Sequence, residues 1–367
     1  MPVHHRSTAV KALIFPALLA SAAAALAATP AQQRAIVQTG FGGPEVLKLT
    51  NLPVPEPAAS QVLIRIFAAA VNPEEWKERE GPAGGARDGA ARSIPGRDAA
   101  GVIEKLGPGV TRFKVGDKVV SAVGHDVQGP NGAQLNGAYA EFALALEGNV
   151  IPKPRTMSFE EASGLGIASM TAAHAFNQAN IRSGAHVLVR GAGGGVGAAV
   201  AQMAKSRGAF VIGTAPANRV DFLRSIGVDE VIDTGKLKFD EAVKPPVDVV
   251  IETSTPEPGI ADSATRALKV LKRGGTLVSV ARMPSAEDCQ AAGVTCTRSD
   301  RDSLGAAAEG TLLAQVGKLA DAGQFKVVVV ASYPLEQAAE AQEDNRRDSN
   351  VRSKIVIDVV PGMAKQK

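Results

Sequence analysis

The stretch from His186 to Gly197 reads H-V-L-V-R-G-A-G-G-G-V-G, and an alanine-rich segment follows it. Four β-forming residues run straight into a glycine-dense turn and then into a helix, which is how a nucleotide-binding βαβ unit begins. Glycine is needed there because the turn is tight, because the backbone must lie against a pyrophosphate without an intervening Cβ, and because the helix must sit close to the strand. The helix N-terminus then offers unpaired N–H groups and the positive end of its dipole to an anion. Gly191, Gly193, Gly194, Gly195, Val196 and Gly197 are therefore the candidate cofactor-binding residues of this turn.

Around that unit the pattern divides in two. From Arg34 to about Pro154 short strands alternate with turns: Arg34–Val37, Gln61–Ile66, Ala100–Gly107, Gly116–Val120 and Gly137–Phe142, with a proline-rich segment at Pro53–Pro57. This predicts a small β barrel. Ser158-Phe159-Glu160-Glu161 predicts a capped helix start leading toward Phe176. Thereafter strands and helices alternate, with continuous apolar strands at His186–Arg190, Phe210–Gly213, Val231–Asp233, Val247–Glu252 and Gly275–Val280. That is a parallel sheet covered on both faces, a doubly wound α/β domain. The pattern then predicts a strand at Val327–Val330, a helix over Leu335–Gln342 and a last strand within Ser353–Val359. A length of 367 residues suits two domains.

Residues 1–28 differ from the rest. Arg6 and Lys11 precede the apolar run Ala12–Ala20, and Ala25-Leu26-Ala27 supplies small residues for cleavage, so the segment reads as a secretory signal peptide. A retained membrane anchor is the alternative, since the apolar stretch continues to Ala28. There is no twin-arginine pair. Without Arg6 and Lys11, the 40 basic residues become 38 against 37 acidic ones, a net of +1. A near-neutral body with 4% aromatic residues argues against nucleic acid as a partner. The two cysteines, Cys289 and Cys296, cannot form a four-ligand zinc lobe. They are either a local disulfide turned at Gly293 or two free thiols in a loop.

The end of the second strand of the unit selects between cofactors. An NAD site places an acidic residue there on the ribose 2′-hydroxyl. This chain has Gly213-Thr214-Ala215-Pro216-Ala217-Asn218-Arg219, with no acid before Asp221. A hydroxyl, an amide and a guanidinium suit a 2′-phosphate, so Thr214, Asn218 and Arg219 are candidates for holding NADP(H). Against a strict G-x-G-x-x-G the turn aligns as Ala192, Gly194 and Gly197. The alternative for Arg219 is a solvated residue in the next helical turn.

Taken together, G-R-D-A-A-G-V-I-E-K-L-G-P-G-V-T-R-F-K-V-G-D-K-V-V (96–120), G-A-Y-A-E-F, G-A-G-G-G-V-G and the closing S-K-I-V-I-D-V resemble the medium-chain dehydrogenase/reductase superfamily. Within it, the chain is most similar to the zinc-independent quinone oxidoreductase, or ζ-crystallin-like, branch, and the likeness runs from about Arg34 to Val359. The resemblance implies a GroES-like barrel (residues 29–156) completed by a C-terminal return (331–367), with a Rossmann domain (157–330) inserted between them. It also implies an active-site cleft between the domains and a homodimer. Where zinc alcohol dehydrogenases carry metal ligands, this chain has Val71-Asn72-Pro73 and Gly96-Arg97-Asp98, and His125, His174 and His186 lack metal spacing. Without a Lewis acid to ionise an alcohol, the expected chemistry is NADPH-dependent reduction of a quinone or an α,β-unsaturated carbonyl. The resemblance points to Asn72 and Lys77 as cleft-facing catalytic residues, and to Thr171 near the nicotinamide. Their alternatives are a surface charge for Lys77 beside a packing Trp76, and a helix back-bond for Thr171. Tyr139 is expected to pack in the barrel. An enoyl-thioester reductase and a non-catalytic NADPH-binding protein are the competing readings. Export to the periplasm or medium pulls against NADPH, a cytosolic reductant. Either the exported enzyme uses another donor or none, or the N-terminus stays as an anchor with the body inside, or the true start codon lies later.

Overall fold

A computed structural model describes residues 29–81, 92–123, 135–254, 263–300, 304–347 and 354–367. The expected signal peptide and His125 lie outside them. The chain divides into an N-terminal unit, Met1–Pro30, and the body, Ala31–Lys367, to which every described strand and helix belongs.

The first half builds a barrel. A hairpin of β1 (Gln32–Gln38) and β2 (Leu47–Pro53) precedes β3 (Gln61–Val71), helix α1 (Pro73–Glu80), β4 (Asp98–Leu106), β5 (Lys118–Ala122), β6 (Phe142–Leu146) and β7 (Val150–Pro152). Strand β3 is central, pairing antiparallel with both β4 and β6. Its run Ile66-Phe67-Ala68-Ala69-Ala70-Val71 is buried throughout, as a strand covered on both faces must be.

The helix expected from Ser158 toward Phe176 is two helices, α2 (Phe159–Ser163) and α3 (Ile167–Ala179). The capping box is present: the Ser158 and Glu161 side chains each bond the other's backbone N–H. The break falls at Gly164–Gly166, where a Cβ on Gly166 would lie 2.0 Å from the Asp98 carboxylate. The start of α3 docks on that carboxylate, and the helix has to begin afresh there.

The doubly wound domain follows: β8 (His186–Arg190), α4 (Gly195–Ser206), β9 (Phe210–Ala215), α5 (Val220–Ser225), β10 (Glu230–Asp233), α6 (Phe239–Ala242), β11 (Val247–Glu252), α7 (Ser263–Leu268), β12 (Leu271–Ser279), α8 (Ala286–Ala292) and β13 (Thr295–Arg298). All pairings in this six-stranded sheet are parallel, in the order β10-β9-β8-β11-β12-β13. Cys289 on α8 and Cys296 on β13 form a disulfide that ties the helix to the edge strand, which decides between the two readings of that pair. Helix α9 (Ala306–Asp321), where no element is predicted, leads to β14 (Val329–Pro334), α10 (Ala338–Arg347) and β15 (Lys354–Asp358). Strand β14 pairs in parallel with β15, and β15 pairs antiparallel with β3. The return to the barrel thus begins at Val329, two residues ahead of the expected boundary.

Candidate functional site

Strand order reverses about β8, whose neighbours are β9 and β11, and a ligand crevice is expected outside the carboxyl ends of the strands at such a point. A cleft of about 490 Å³ opens there. One wall is the turn after β8. Gly191 has φ +70°, the left-handed region, and a Cβ on it would come 2.9 Å from the Ser254 nitrogen. At Gly197 a Cβ would lie 2.3 Å from the Gly191 carbonyl oxygen, so this glycine lets α4 sit against the strand. Over Gly194 there is space: the nearest atom to a Cβ is the Gly191 oxygen at 3.5 Å. No side chain caps α4, so its first N–H groups are left to the cleft. The Thr214 hydroxyl accepts the Gly191 N–H at 3.0 Å and holds the turn to β9. An open backbone cradle at an uncapped helix N-terminus fits a dinucleotide pyrophosphate.

The opposite wall comes from the barrel: Asn72, Trp76 and Lys77 at the start of α1, Asn345 from α10 and Lys354 from β15. Trp76 is pinned by its indole N–H, which donates to Asn345 Oδ1 at 3.1 Å, and the Lys77 ammonium lies 5.4 Å from the indole centroid. The structure thus places Asn72, Lys77, Gly191, Gly193, Gly194, Gly195, Val196, Gly197 and Thr214 along one cleft. The other three predicted residues are elsewhere. Asn218 is exposed beyond the end of β9. Arg219 is buried: its Nη2 donates to the Gly193 carbonyl at 3.0 Å and its guanidinium lies 4.1 Å from the Phe222 ring centroid. Thr171 donates to the Ile167 carbonyl of its own helix at 2.9 Å, a turn beyond the cleft-lining Ala168.

Beneath Asn72 is a buried polar network that the sequence reading does not contain. Lys354 Nζ donates to Asn72 Oδ1 at 2.6 Å and to Asp98 Oδ2 at 3.2 Å. Asn72 Nδ2 donates to Asp98 Oδ2 at 3.0 Å and to Glu75 Oε1 at 3.3 Å, and the Asn72 backbone N–H goes to the Glu75 carboxylate. Asp98 Oδ1 accepts the Ile167 N–H at 2.7 Å. Fully buried Tyr139 donates to Glu75 Oε2 at 3.4 Å. Burial pushes the Glu75 carboxyl well above the usual carboxylate range, with the Asp98 charge adding to the rise against the bonds from Asn72. Burial also raises the Tyr139 phenol. The signal was a charged residue heading each of two apolar strands, Asp98 on β4 and Lys354 on β15. Register brings them together: Asp98 lies opposite Ala70 and Ile355 opposite Val71, which sets Lys354 beside Asn72.

A second buried pair closes the floor, Arg190 Nη1 with Glu252 Oε2 at 2.5 Å, the guanidinium also stacked 4.1 Å from the Phe239 ring centroid. Arg97 pairs with Glu74 at 3.1 Å, His174 Nδ1 meets the Ser299 hydroxyl at 3.1 Å, and His186 stacks on Phe210. Among the described residues, no three His, Cys, Asp or Glu side chains cluster as a metal site.

Two family models match, the alcohol dehydrogenase GroES-like domain over residues 58–155 and the zinc-binding dehydrogenase domain over residues 226–357. A mouse (Mus musculus) quinone oxidoreductase is 36% identical over 343 residues, covering 88% of this chain and 97% of that protein. The chain belongs to the quinone oxidoreductase branch of the medium-chain dehydrogenase/reductase superfamily. It is an oxidoreductase. A chloroplastic NADPH-dependent alkenal/one oxidoreductase of Arabidopsis thaliana is 35% identical over 69% of this chain and 64% of its own length. The solved structure of the Coxiella burnetii quinone oxidoreductase superposes with a TM-score of 0.73 at 29% identity, covering 90% of this chain and 100% of that one. Residues 226–357, matched by the domain named for zinc binding, contain no histidine, and their two cysteines are joined to each other.

Proposed function

We propose that this oxidoreductase is a zinc-independent reductase that binds NADPH and reduces a quinone or an α,β-unsaturated carbonyl compound. The observation that carries the reading is the single cleft that joins an open pyrophosphate cradle to a wall built of an indole, an amide and an ammonium group. The names of the mouse and Arabidopsis relatives support the acceptor class, and the second supports NADPH. Preference for NADPH rests on the end of β9, where Thr214, Ala215 and Pro216 line the cleft without a carboxylate. When bound, the reduced nicotinamide supplies the reactive C–H bond. The chain's own work is orientation and exclusion of water: Gly191–Gly197 receive the pyrophosphate and Trp76 bounds the acceptor side. Metal independence is supported by the positions where zinc ligands would be needed. Asn72, Arg97 and Asp98 are each committed to hydrogen bonds or ion pairs within the protein.

The test is oxidation of NADPH and of NADH by the purified protein with a quinone and with an enone, each with and without a chelator. Preferential NADPH oxidation that survives chelation is expected. Failure with both acceptor classes overturns the reading, and loss of turnover on chelation overturns its metal-free part. We further propose export with removal of residues 1–28, which the closed Cys289–Cys296 disulfide supports. The proposed assembly is a homodimer, to be read from the mass in solution.

A further inference from the structure

Lys354 is a buried cation that reaches the cleft from the last strand of the barrel. An ammonium has three N–H donors. One goes to Asn72 and one to Asp98, which leaves a third for the cleft. Neither partner can drift. Asn72 is fixed by Asp98 and Glu75, and Asp98 is fixed by the N-terminus of α3. The ammonium is therefore held from a strand, a helix start and the α1 N-cap at once. A buried ion pair is a poor stabilising device, because apolar side chains of similar volume serve as well or better. Its position on the cleft wall, with a donor to spare, suits a preorganised site for developing negative charge.

We infer that Lys354 is a catalytic residue of the reduction proposed above, its remaining N–H donating to the acceptor oxygen on which negative charge accumulates. The inference rests on that reading of the cleft. With an enone, a C–H bond forms at the β-carbon using the hydrogen and two electrons that the reduced cofactor gives up as it is oxidised. The C=C pair shifts toward the carbonyl carbon and the C=O pair moves onto oxygen. Lys354 stabilises that oxyanion. A proton from water then adds at the α-carbon, the carbonyl re-forms, and Lys354 ends as it began. Asn72 acts through Lys354 as a positioning residue, since each of its side-chain polar atoms is engaged inside the protein.

Two variants test this, Lys354→Met and Lys354→Met with Asp98→Asn. The second removes both charges, so no carboxylate is left buried without its partner. Folding is read by thermal melting, and NADPH affinity by quenching of Trp76, the only tryptophan of the chain. Turnover is read at saturating NADPH with a series of enones. The folded double variant is expected to bind NADPH within about threefold of wild type and to lose about 100-fold or more in kcat, as removal of an oxyanion donor does. The loss should shrink along the series as electron-withdrawing substituents make the oxyanion less basic. A folded double variant with kcat within about threefold of wild type overturns the inference. So does weakened NADPH affinity with kcat unchanged, which would assign Lys354 to the cofactor, or a kcat loss uniform across the series. A wild-type protein that oxidises NADPH with no quinone or enone fails the proposed function itself, and the two failures are thus told apart.

Discussion

Gly194 and Gly197 lie three positions apart and serve different ends, and alanine at each should pull stability and binding apart. At Gly197 a Cβ would lie 2.3 Å from the Gly191 carbonyl oxygen and 2.7 Å from the Ala192 Cα. Both are backbone atoms, so the α4 start must move, and overpacking of this kind costs about 1–3 kcal/mol. At Gly194 the backbone is extended, φ −81° and ψ 171°, and a Cβ meets only the Gly191 oxygen at the ordinary distance of 3.5 Å. Gly194→Ala should change stability by less than about 1 kcal/mol, the scale of an N-cap preference. Its methyl group, however, occupies the space over the uncapped helix N-terminus. Displacing the pyrophosphate from two charge-assisted hydrogen bonds at about 1.5 kcal/mol each removes about 3 kcal/mol, or about 150-fold in Kd. Unfolding without cofactor measures the first quantity, and NADPH titration followed by Trp76 fluorescence measures the second. Gly194→Ala should keep its stability and lose binding, whereas Gly197→Ala should lose both. Tight NADPH binding by Gly194→Ala, within about threefold of wild type, would refute the claim that this turn is the pyrophosphate cradle.

Arg219→Ala should weaken NADPH and NADH alike in paired titrations, by about tenfold, the worth of one charge-assisted bond, because Arg219 is buried and buttresses the Gly193 carbonyl; a loss confined to NADPH would refute this. The raised Glu75 carboxyl keeps its proton in the folded state at pH values where the unfolded chain has lost it, so its contribution is complete below the ordinary carboxylate range and fades as pH rises toward the folded value. Glu75→Gln lacks that loss, and its stability relative to wild type should improve by about 1.4 kcal/mol per pH unit through this window; denaturant unfolding with parallel pH profiles would exclude it. Serine at Cys289 and Cys296 opens a loop closed across a separation of seven residues and should cost about 2.5 kcal/mol of unfolding free energy; unchanged unfolding with and without reductant counts against it. N-terminal sequencing of protein from fractionated cells should find a start near Ala28 in the exported fraction, and an intact Met1 in the cytosol would withdraw export and leave NADPH freely available.

The phosphate turn was legible because its chemistry is local. Strand, glycines and helix are contiguous, and Gly197 answers to Gly191 and Ala192 within the turn itself. Lys354 was not legible in that way. S-K-I-V-I-D-V shows a charged residue heading an apolar strand, and G-R-D-A-A-G shows another, but Asp98 and Lys354 are 256 positions apart. Only the pairing of β4 and β15 with the two edges of β3 brings them to the level of Asn72. The side chain of Asn72 could be placed at the cleft by resemblance; that its amide is wholly occupied by Lys354, Asp98 and Glu75 follows only from three-dimensional proximity.

Helix α9 shows the same limit from the other side. A glycine inside a helix costs about 1 kcal/mol relative to alanine, and Gly310 and Gly317 weaken the helical pattern of A-A-A-E-G-T-L-L-A-Q-V-G-K-L-A-D until it reads as nothing in particular. In the fold both positions are contacts with the barrel. A Cβ on Gly310 would lie 1.8 Å from the Gly148 carbonyl oxygen, and one on Gly317 would lie 2.9 Å from the Ile151 side chain. The residues that erase the local signal are those that let this helix of the doubly wound domain lie against the barrel. Because the cleft takes one wall from each domain, its width depends on how closely such contacts draw them together. What is least visible in the sequence here is therefore what holds the cradle at a working distance from Trp76 and Lys354.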